Sequence, residues 1–231
     1  MRLILRNIFL GMLVILLLGA CSTVKQFFGG DKEKTPEQLM EQGLNYMDRG
    51  LYEDAFKAFQ DIRDRYPYSK YAITAELKIA DALFKRGSYD EAYDAYDDFE
   101  KLHPKNKDIP YVIYQKGMCN FEQITTIDRE QVHTLKAKEI FERLIKQYPR
   151  SEYATRGRKV LMKCIIYLAE YELYVGNFYY KMGFYRAALG RYNYLLHNYP
   201  DLGQYHEAIQ KIGIIKKKLA EEEGELIDSP L

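Results

Sequence analysis

The chain has 231 residues, of which 47% are hydrophobic and 29% charged, and this composition excludes a disordered chain because it supplies enough apolar surface for a core. Its 34 basic and 33 acidic residues give a formal net charge of +1, which leaves no overall positive field to attract DNA or RNA. Nucleic acid is therefore not among the expected partners.

The first twenty residues have the layout of a secretory signal peptide. Arg2 and Arg6 precede an apolar run from Ile8 to Leu18, which is shorter than the ~20 residues that a membrane-spanning helix needs. Small residues then lead to Cys21. Residues 1–20 are predicted to be a cleaved signal peptide rather than a permanent transmembrane helix.

Cys21 ends a segment, Leu-Gly-Ala-Cys, that resembles a bacterial lipobox. The resemblance implies that its thiol carries diacylglycerol and that its amino group carries an acyl chain such as palmitate, which together would hold the protein stably on a membrane. The alternative is an unmodified cysteine beside an ordinary cleavage site. Ser22 resembles the residue found in lipoproteins sorted to the outer membrane of Gram-negative bacteria, and residues 21–35 are predicted to be the lipidated cysteine and a flexible tether. No other cofactor is expected.

A motif of glycine, tyrosine, alanine, an aromatic residue and proline recurs along the rest of the chain. Its copies are Gly50, Tyr52, Ala55, Phe59, Pro67; Gly87, Tyr89, Ala92, Tyr96, Pro104; Ala137, Phe141, Pro149; and Gly183, Tyr185, Ala188, Tyr192, Pro200. The glycine permits a turn, the alanine allows close approach, the ring fills the gap between helices, and the proline ends the second helix. These offsets resemble the tetratricopeptide consensus.

The sequence thus predicts an all-α fold, a tetratricopeptide-repeat solenoid of helix-turn-helix pairs over residues 36–220. Thr35 and Gln38 form a capping-box pattern, so the first helix is expected to begin near Pro36. Ser69 and Ser151 are each placed to cap the first helix of the following repeat.

Three segments depart from a regular repeat. An insertion from Ile124 to His133 is expected to form a protruding loop, and a helix of about twice the usual length is expected from Ser151 to Met182. After Pro200, an apolar stripe predicts a C-terminal capping helix, followed by an acidic tail at residues 221–231. The stripe comprises Ile209, Ile212, Ile215 and Leu219.

The concave face of such an array is lined by the first helix of each pair. With Gly43, Ala80 and Gly117 as equivalent positions, ten side chains are predicted to line a peptide groove. They are Met40, Leu44, Met47, Leu77, Asp81, Phe84, Tyr111, Tyr114, Met118 and Phe121. Thioethers and aromatic rings suit an extended peptide with hydrophobic side chains. The alternative is that these residues belong to the packed core.

The sequence offers no support for a catalytic or metal site. Its four histidines are scattered, and it contains no G-x-S-x-G, phosphate-loop or Rossmann motif. Cys119 and Cys164 could form a disulfide or remain two buried thiols. An enzyme such as a helical-repeat cell-wall lyase would need a catalytic domain, for which no segment outside the repeats is long enough. We therefore expect no enzymatic activity.

Several segments beyond the repeat motif resemble the BamD family, also called the ComL-like family. They are His103-Pro104, Ile109 to Tyr114 with Gly117, Asp128-Arg129, Tyr148 to Ala154, and Leu168 to Glu172. Members of that family are outer-membrane lipoproteins of the β-barrel assembly machinery, and the resemblance extends from the lipobox to about Pro200.

The resemblance implies a non-enzymatic, periplasm-facing protein whose partners are BamA, other lipoproteins of the machinery and unfolded β-barrel substrates. It also implies that the C-terminal repeats bind BamA, with Arg191 at the position of an arginine associated with that contact; the alternative is a solvated helix arginine. The sequence departs from the family pattern after Lys218, so a fifth pair is expected to be incomplete. A generic periplasmic tetratricopeptide adaptor, serving the cell wall or a secretion complex, is the alternative function.

Overall fold

The computed structural model describes residues 33–126 and 131–227, and this part of the chain is helical, with no strand. The helices are Pro36–Asp48 (α1), Tyr52–Arg65 (α2), Ala72–Arg86 (α3), Tyr89–Leu102 (α4), Ile109–Phe121 (α5), Val132–Gln147 (α6), Glu152–Lys181 (α7), Tyr185–Asn198 (α8) and Tyr205–Ile227 (α9). The predicted signal peptide, Cys21 and the tether up to residue 32 lie outside the described residues. None of the described helices combines the length and the apolar character needed to span a bilayer.

Four helix pairs follow one another, α1–α2, α3–α4, α5–α6 and α7–α8, and each packs on the next. Every second helix ends two residues before the motif proline, at Arg65, Leu102, Gln147 and Asn198. Proline disfavours helical geometry in the residue before it, which explains this constant distance. The predicted all-α architecture of helix-turn-helix pairs is confirmed.

The turns within three of the pairs depend on a glycine. Gly50, Gly87 and Gly183 have φ values of 74°, 86° and 79°, a region that residues with a Cβ adopt only at a cost. The third pair has no glycine in the corresponding position. There the connection between α5 and α6 comprises residues 122–131, so it lies two residues earlier than the loop predicted from Ile124 to His133. Residues 127–130 lie outside the described part.

The motif aromatics pack into spaces left by small residues of the preceding helix. Phe59, Phe141 and Tyr192 are fully buried, and a Cβ built on the glycine facing each ring would lie 2.4–2.6 Å from it. The facing glycines are Gly43, Gly117 and Gly176. Glycine therefore sets how closely the two helices of a pair approach.

The helix starts follow the sequence closely, with one difference. The Thr35 hydroxyl accepts from Gln38 N, and the Gln38 side chain accepts from Thr35 N, so the capping box is confirmed. Ser151 caps α7 by accepting from Tyr153 N at 3.1 Å. Ser69 accepts the equivalent bond from Tyr71 N at 3.3 Å, but regular helix begins only at Ala72. The predicted cap at Ser69 is thus displaced into the preceding turn.

The long helix predicted between Ser151 and Met182 is confirmed as α7. Its 30 residues span about 45 Å. The buried residues form two clusters, one ending at Cys164 and the other beginning at Ala169, so both clusters include part of α7.

Helix α9 packs on α8, as expected of a capping helix, and three of the four predicted stripe residues lie on its buried face. Ile215 is fully buried and Ile212 and Leu219 pack beside it, whereas Ile209 is 55% exposed. Ala208 occupies the buried position that was expected for Ile209. Helix α9 continues to Ile227, past the predicted end of the array at residue 220 and into the segment predicted as an acidic tail.

Candidate functional site

The structure divides the ten predicted groove residues into three groups. Met40, Leu77 and Asp81 are buried, with 7%, 8% and 6% of their surface exposed, so they offer little area to a ligand. Met47, Phe84, Tyr111, Tyr114, Met118 and Phe121 are half-buried. Leu44 is 42% exposed. The core alternative therefore describes the first group, and the groove remains a proposal for the other seven.

Asp81 is the centre of a buried hydrogen-bond cluster that joins α3, α4 and α5. Its Oδ1 accepts hydrogen bonds from the hydroxyls of Tyr96 at 2.8 Å and Tyr111 at 2.6 Å. Its Oδ2 accepts from Lys78 Nζ at 2.7 Å. The side chain of Gln115 donates to the Tyr111 hydroxyl at 3.1 Å. These contacts make Asp81 a buried positioning group for Tyr111.

The two tyrosine hydroxyls of this cluster stay protonated and act as donors. Burial, followed by the negative charge of Asp81, raises the pKa of Tyr96 and of Tyr111 far above the ordinary tyrosine value. Because a protonated hydroxyl and a carboxylate are matched as donor and acceptor, the cluster fixes the half-buried ring of Tyr111 against α3.

Rings of α5 and α7 pack together in two groups, which we call together the aromatic row: Tyr111, Tyr114 and Tyr153 form one group, and Phe121 and Tyr167 form the other. The ring centroids of Tyr111 and Tyr114 lie 5.3 and 5.9 Å from that of Tyr153. Phe121 stacks on Tyr167 at 6.3 Å with an interplanar angle of 15°. Each of these rings is half-buried, so one part packs and another part faces solvent.

Two cations flank the aromatic row. The Arg156 guanidinium lies 5.3 Å from the ring centroid of Tyr153, and Lys163 Nζ lies 5.9 Å from that of Phe121. Both distances are within the range in which a cation is attracted to a ring face. The row therefore offers apolar area next to positive charge.

Sequence reasoning did not include Tyr153 and Tyr167 among the groove residues. The groove residues were assigned by their distance from Gly43, Ala80 and Gly117, which are equivalent positions in the first three pairs. Because α7 is longer than the other first helices, it has no such reference residue near its start. A usable signal was present, since Tyr153, Val160 and Tyr167 recur every seven residues and so lie on one helix face.

Arg191 on α8 is paired within the chain. Its Nη1 lies 3.2 Å from Oε2 of Glu172, a carboxylate on α7 that is only 8% exposed. The Arg191 side chain itself is 41% exposed. Arg191 is therefore more than a solvated arginine, because it pairs with a buried acid while its own side chain remains partly exposed.

The described residues contain two free thiols and no metal-binding cluster. Cys119 and Cys164 are buried and unbonded, and burial raises the pKa of each thiol to about 12. Both are therefore protonated and unreactive at neutral pH. Within residues 33–126 and 131–227 no group of His, Cys, Asp and Glu is arranged to hold a metal ion.

Comparison with known families decides the relationship of the chain. The profile of the family YfiO, described as outer membrane lipoprotein, matches residues 32–227. The chain belongs to this family. The YfiO match includes all nine described helices, so it covers the helix pairs, the aromatic row and the Arg191–Glu172 pair together.

Curated relatives of this YfiO chain are named outer membrane protein assembly factor BamD. The protein from Rickettsia prowazekii is 30% identical, and the match covers 85% of this chain and 78% of the relative. The protein from Vibrio cholerae is 25% identical, and the match covers 88% of this chain and 90% of the relative. The protein from Caulobacter vibrioides is 30% identical over 78% of this chain. This chain spans 59% of the length of the Caulobacter relative.

Solved structures similar to this YfiO chain are tetratricopeptide proteins. They include the TPR2AB domain of yeast Sti1, solved as a complex with pHSP90, at a TM-score of 0.49 and 13% identity over 77% of this chain and 70% of that one. Another is the TPR protein TTC0263 of Thermus thermophilus, which superposes with a TM-score of 0.44 and is 16% identical in sequence. The match covers 77% of this chain and 99% of that protein.

Proposed function

We propose that this protein is a subunit of the β-barrel assembly machinery that scaffolds the assembly and insertion of β-barrel proteins into the outer membrane. It is anchored in the outer membrane by lipid on Cys21 and faces the periplasm. Membership of the outer membrane lipoprotein family and the printed name of the relatives, outer membrane protein assembly factor BamD, support this role. Its action is binding rather than catalysis.

The proposal assigns different partners to the two ends of the array. The first three pairs receive hydrophobic segments of unfolded β-barrel substrates, and the C-terminal pairs bind the periplasmic part of BamA and other lipoproteins of the machinery. The observation that carries the substrate role is the aromatic row, whose half-buried rings present apolar area on fixed helices. Fixed rings give contact area at low entropic cost, which suits clients that share hydrophobicity rather than sequence.

The groove is tested by photo-crosslinking a peptide from a β-barrel C-terminus to the purified lipoprotein. Phe84→Ala and Tyr114→Ala remove ring area from the groove and are expected to reduce crosslinking several-fold, because each ring contributes contact area. Tyr194→Ala is the matched control, since Tyr194 is 48% exposed on the second helix α8. Circular dichroism checks that all three variants remain helical. Unchanged crosslinking in both groove variants would exclude the groove.

The place of the protein in an assembly is tested by isolating it from membranes in mild detergent. Co-isolation of a large β-barrel protein is expected, and its absence would favour the periplasmic adaptor. Arg191→Ala is expected to weaken that association. Arg191→Ala alone also leaves the buried Glu172 carboxylate without its partner. The double change Arg191→Ala with Glu172→Gln is therefore the control, because it removes that buried charge together with its partner.

A further inference from the structure

Gln115 places an amide among the rings and the thioether of the groove face of α5. It lies four residues after Tyr111 and three before Met118, two of the predicted groove residues. Residues at those spacings share one face of an α-helix. Gln115 is half-buried, and it was not among the residues that the sequence placed in the groove.

The hydrogen-bond cluster around Asp81 has a fixed direction from donor to acceptor. The Asp81 carboxylate, on a residue only 6% exposed, can only accept, and it receives hydrogen bonds from the hydroxyls of Tyr96 at 2.8 Å and Tyr111 at 2.6 Å. Each hydroxyl has a single proton, so both protons are used in binding Asp81. Any further hydrogen bond to the two hydroxyl oxygens must therefore come from a donor.

Gln115 supplies that donor, and the orientation of its amide is fixed as a result. Its Nε2 donates to the Tyr111 hydroxyl at 3.1 Å and makes a longer contact of 3.5 Å with the Tyr96 hydroxyl. If the amide were reversed, its Oε1 would face two oxygens that have no proton left to donate. The buried carboxylate thus determines, through two tyrosines, which way the Gln115 amide points.

The carbonyl oxygen of Gln115 is consequently available to a ligand. Within the described part of the chain, Oε1 of Gln115 accepts no hydrogen bond, and the unpaired side-chain atoms that are fully enclosed there are His133 Nδ1 and Gln204 Oε1. Oε1 of Gln115 is therefore an accessible acceptor beside the ring of Tyr111. Helix α5 offers no comparable acceptor from its interior backbone, because those carbonyl oxygens accept the hydrogen bonds of the helix itself.

We propose that Gln115 is a specificity-determining residue of the peptide groove, whose carbonyl oxygen accepts a hydrogen bond from a main-chain N–H of an extended bound peptide. This assignment rests on the proposed binding of hydrophobic substrate segments to the first three pairs. A peptide that lies among aromatic rings loses water from its N–H groups, and an N–H left without an acceptor is costly. Because every residue except proline has this donor, the contact fixes the path of the peptide without selecting its side chains.

The test is a double-mutant cycle between Gln115 and the peptide backbone. A fluorescent peptide from a β-barrel C-terminus, and a series in which each amide in turn is replaced by an ester, are titrated into the purified lipidated protein by fluorescence anisotropy. One ester position is expected to weaken binding to the wild type roughly three- to tenfold, because an ester lacks the N–H donor. In Gln115→Met the unmodified peptide is expected to bind more weakly by a similar factor, and the ester at that position should cost nothing further.

Two further variants separate the oriented amide from a purely structural role. Tyr111→Phe keeps the ring but removes the hydroxyl that holds the Gln115 amide, so it should reduce the ester penalty at the same position and leave the other ester positions unchanged. Gln147→Met, on an exposed position of the second helix α6, is the matched control and should keep the wild-type pattern. Circular dichroism checks that each variant remains helical.

The possible failures of the two proposals differ. An equal ester penalty in Gln115→Met and the wild type, or the absence of any position-specific penalty in the wild type, would overturn the assignment of Gln115 and leave the groove in place. An unchanged penalty in Tyr111→Phe would overturn the orienting role of the Asp81 cluster. Failure of the wild type to bind the unmodified peptide would instead contradict the substrate role, and this assignment would fall with it.

Discussion

At the scale of single residues, buried charge is what most distinguishes this array from a purely hydrophobic stack. Asp81 and Lys116 lie at helix contacts, each 6% or less exposed, and each is held by groups from neighbouring helices. Such groups fix one arrangement of the helices, because any other arrangement would leave a charge unpaired.

Asp81→Ala is expected to destabilise the protein by about 2–3 kcal/mol, because the hydroxyls of Tyr96 and Tyr111 lose a charged acceptor. Urea unfolding followed by circular dichroism measures the change. Asp98→Ala on the exposed face of α4 is the control and should change the free energy of unfolding by less than about 0.5 kcal/mol. Equal losses in both variants would contradict the structural role of Asp81.

The ionic network at Glu100 predicts a dependence of stability on pH. Burial alone would raise the pKa of the Glu100 carboxyl, but hydrogen bonds from Arg143 and Lys116 hold it below its ordinary value of 4.5. The folded state therefore binds this proton less readily than the unfolded state does. Its contribution to stability is present above pH 4.5 and is lost as the pH falls through the lower pKa of the folded state.

Glu100→Gln is accordingly expected to be less stable than the wild type at pH 7. The difference in their free energies of unfolding should shrink as the pH falls below about 4, where the wild-type carboxyl takes up its proton. Urea titrations of both proteins between pH 7 and pH 3 measure this difference. A difference that is the same at every pH would show that the charge of Glu100 does not contribute to the stability of the protein.

At the scale of helices, the close packing of the two helices of a pair depends on glycine, which has no side chain. Gly176 of α7 faces the ring of Tyr192, and a Cβ there would lie 2.6 Å from the ring. Gly190 of α8 has open space around its position. The same substitution thus tests packing at one site and helix propensity at the other.

Gly176→Ala is expected to destabilise the protein by about 1–3 kcal/mol, since the buried ring of Tyr192 must move. Gly190→Ala should stabilise it by about 0.5–1 kcal/mol, because alanine favours helix where no clash occurs. Thermal unfolding of both variants shows whether each is less or more stable than the wild type. If Gly176→Ala were also stabilising, close packing of α7 on α8 would not be required.

The capping role of α9 rests on Ile215. Ile215→Ala is expected to cost about 2–4 kcal/mol, whereas Ile209→Ala should change the free energy of unfolding by less than about 0.5 kcal/mol because Ile209 is 55% exposed. Chemical denaturation of the two variants measures the contrast. Similar losses would mean that Ile209 packs as closely as Ile215, as the sequence stripe predicts.

At the scale of the whole molecule, the sequence predicted the architecture well because its signals are local. The capping box at Thr35, the glycine turns, the distance from each helix end to its proline and the length of α7 all follow from backbone preferences of a few residues. Each pair contacts mainly its neighbours, so local signals are sufficient to define such a fold.

The burial of individual side chains was less predictable, because it depends on neighbours that are distant in sequence. Asp81 was expected in the groove, yet hydroxyls 15 and 30 residues away hold it inside the protein. Ile209 was placed on the apolar stripe of α9, yet Ala208 is the buried residue at that turn. Tyr153 was missed because α7 is longer than the other first helices, and its ring contacts lie on α5.

Helix α7 has a mechanical consequence for the array. Its first half belongs to the first hydrophobic cluster and carries Tyr153, while its second half belongs to the second cluster and carries Glu172. No loop or turn divides the two halves. A continuous helix is stiff, so a force that tilts the C-terminal helices also moves the ring of Tyr153 at the opposite end of α7.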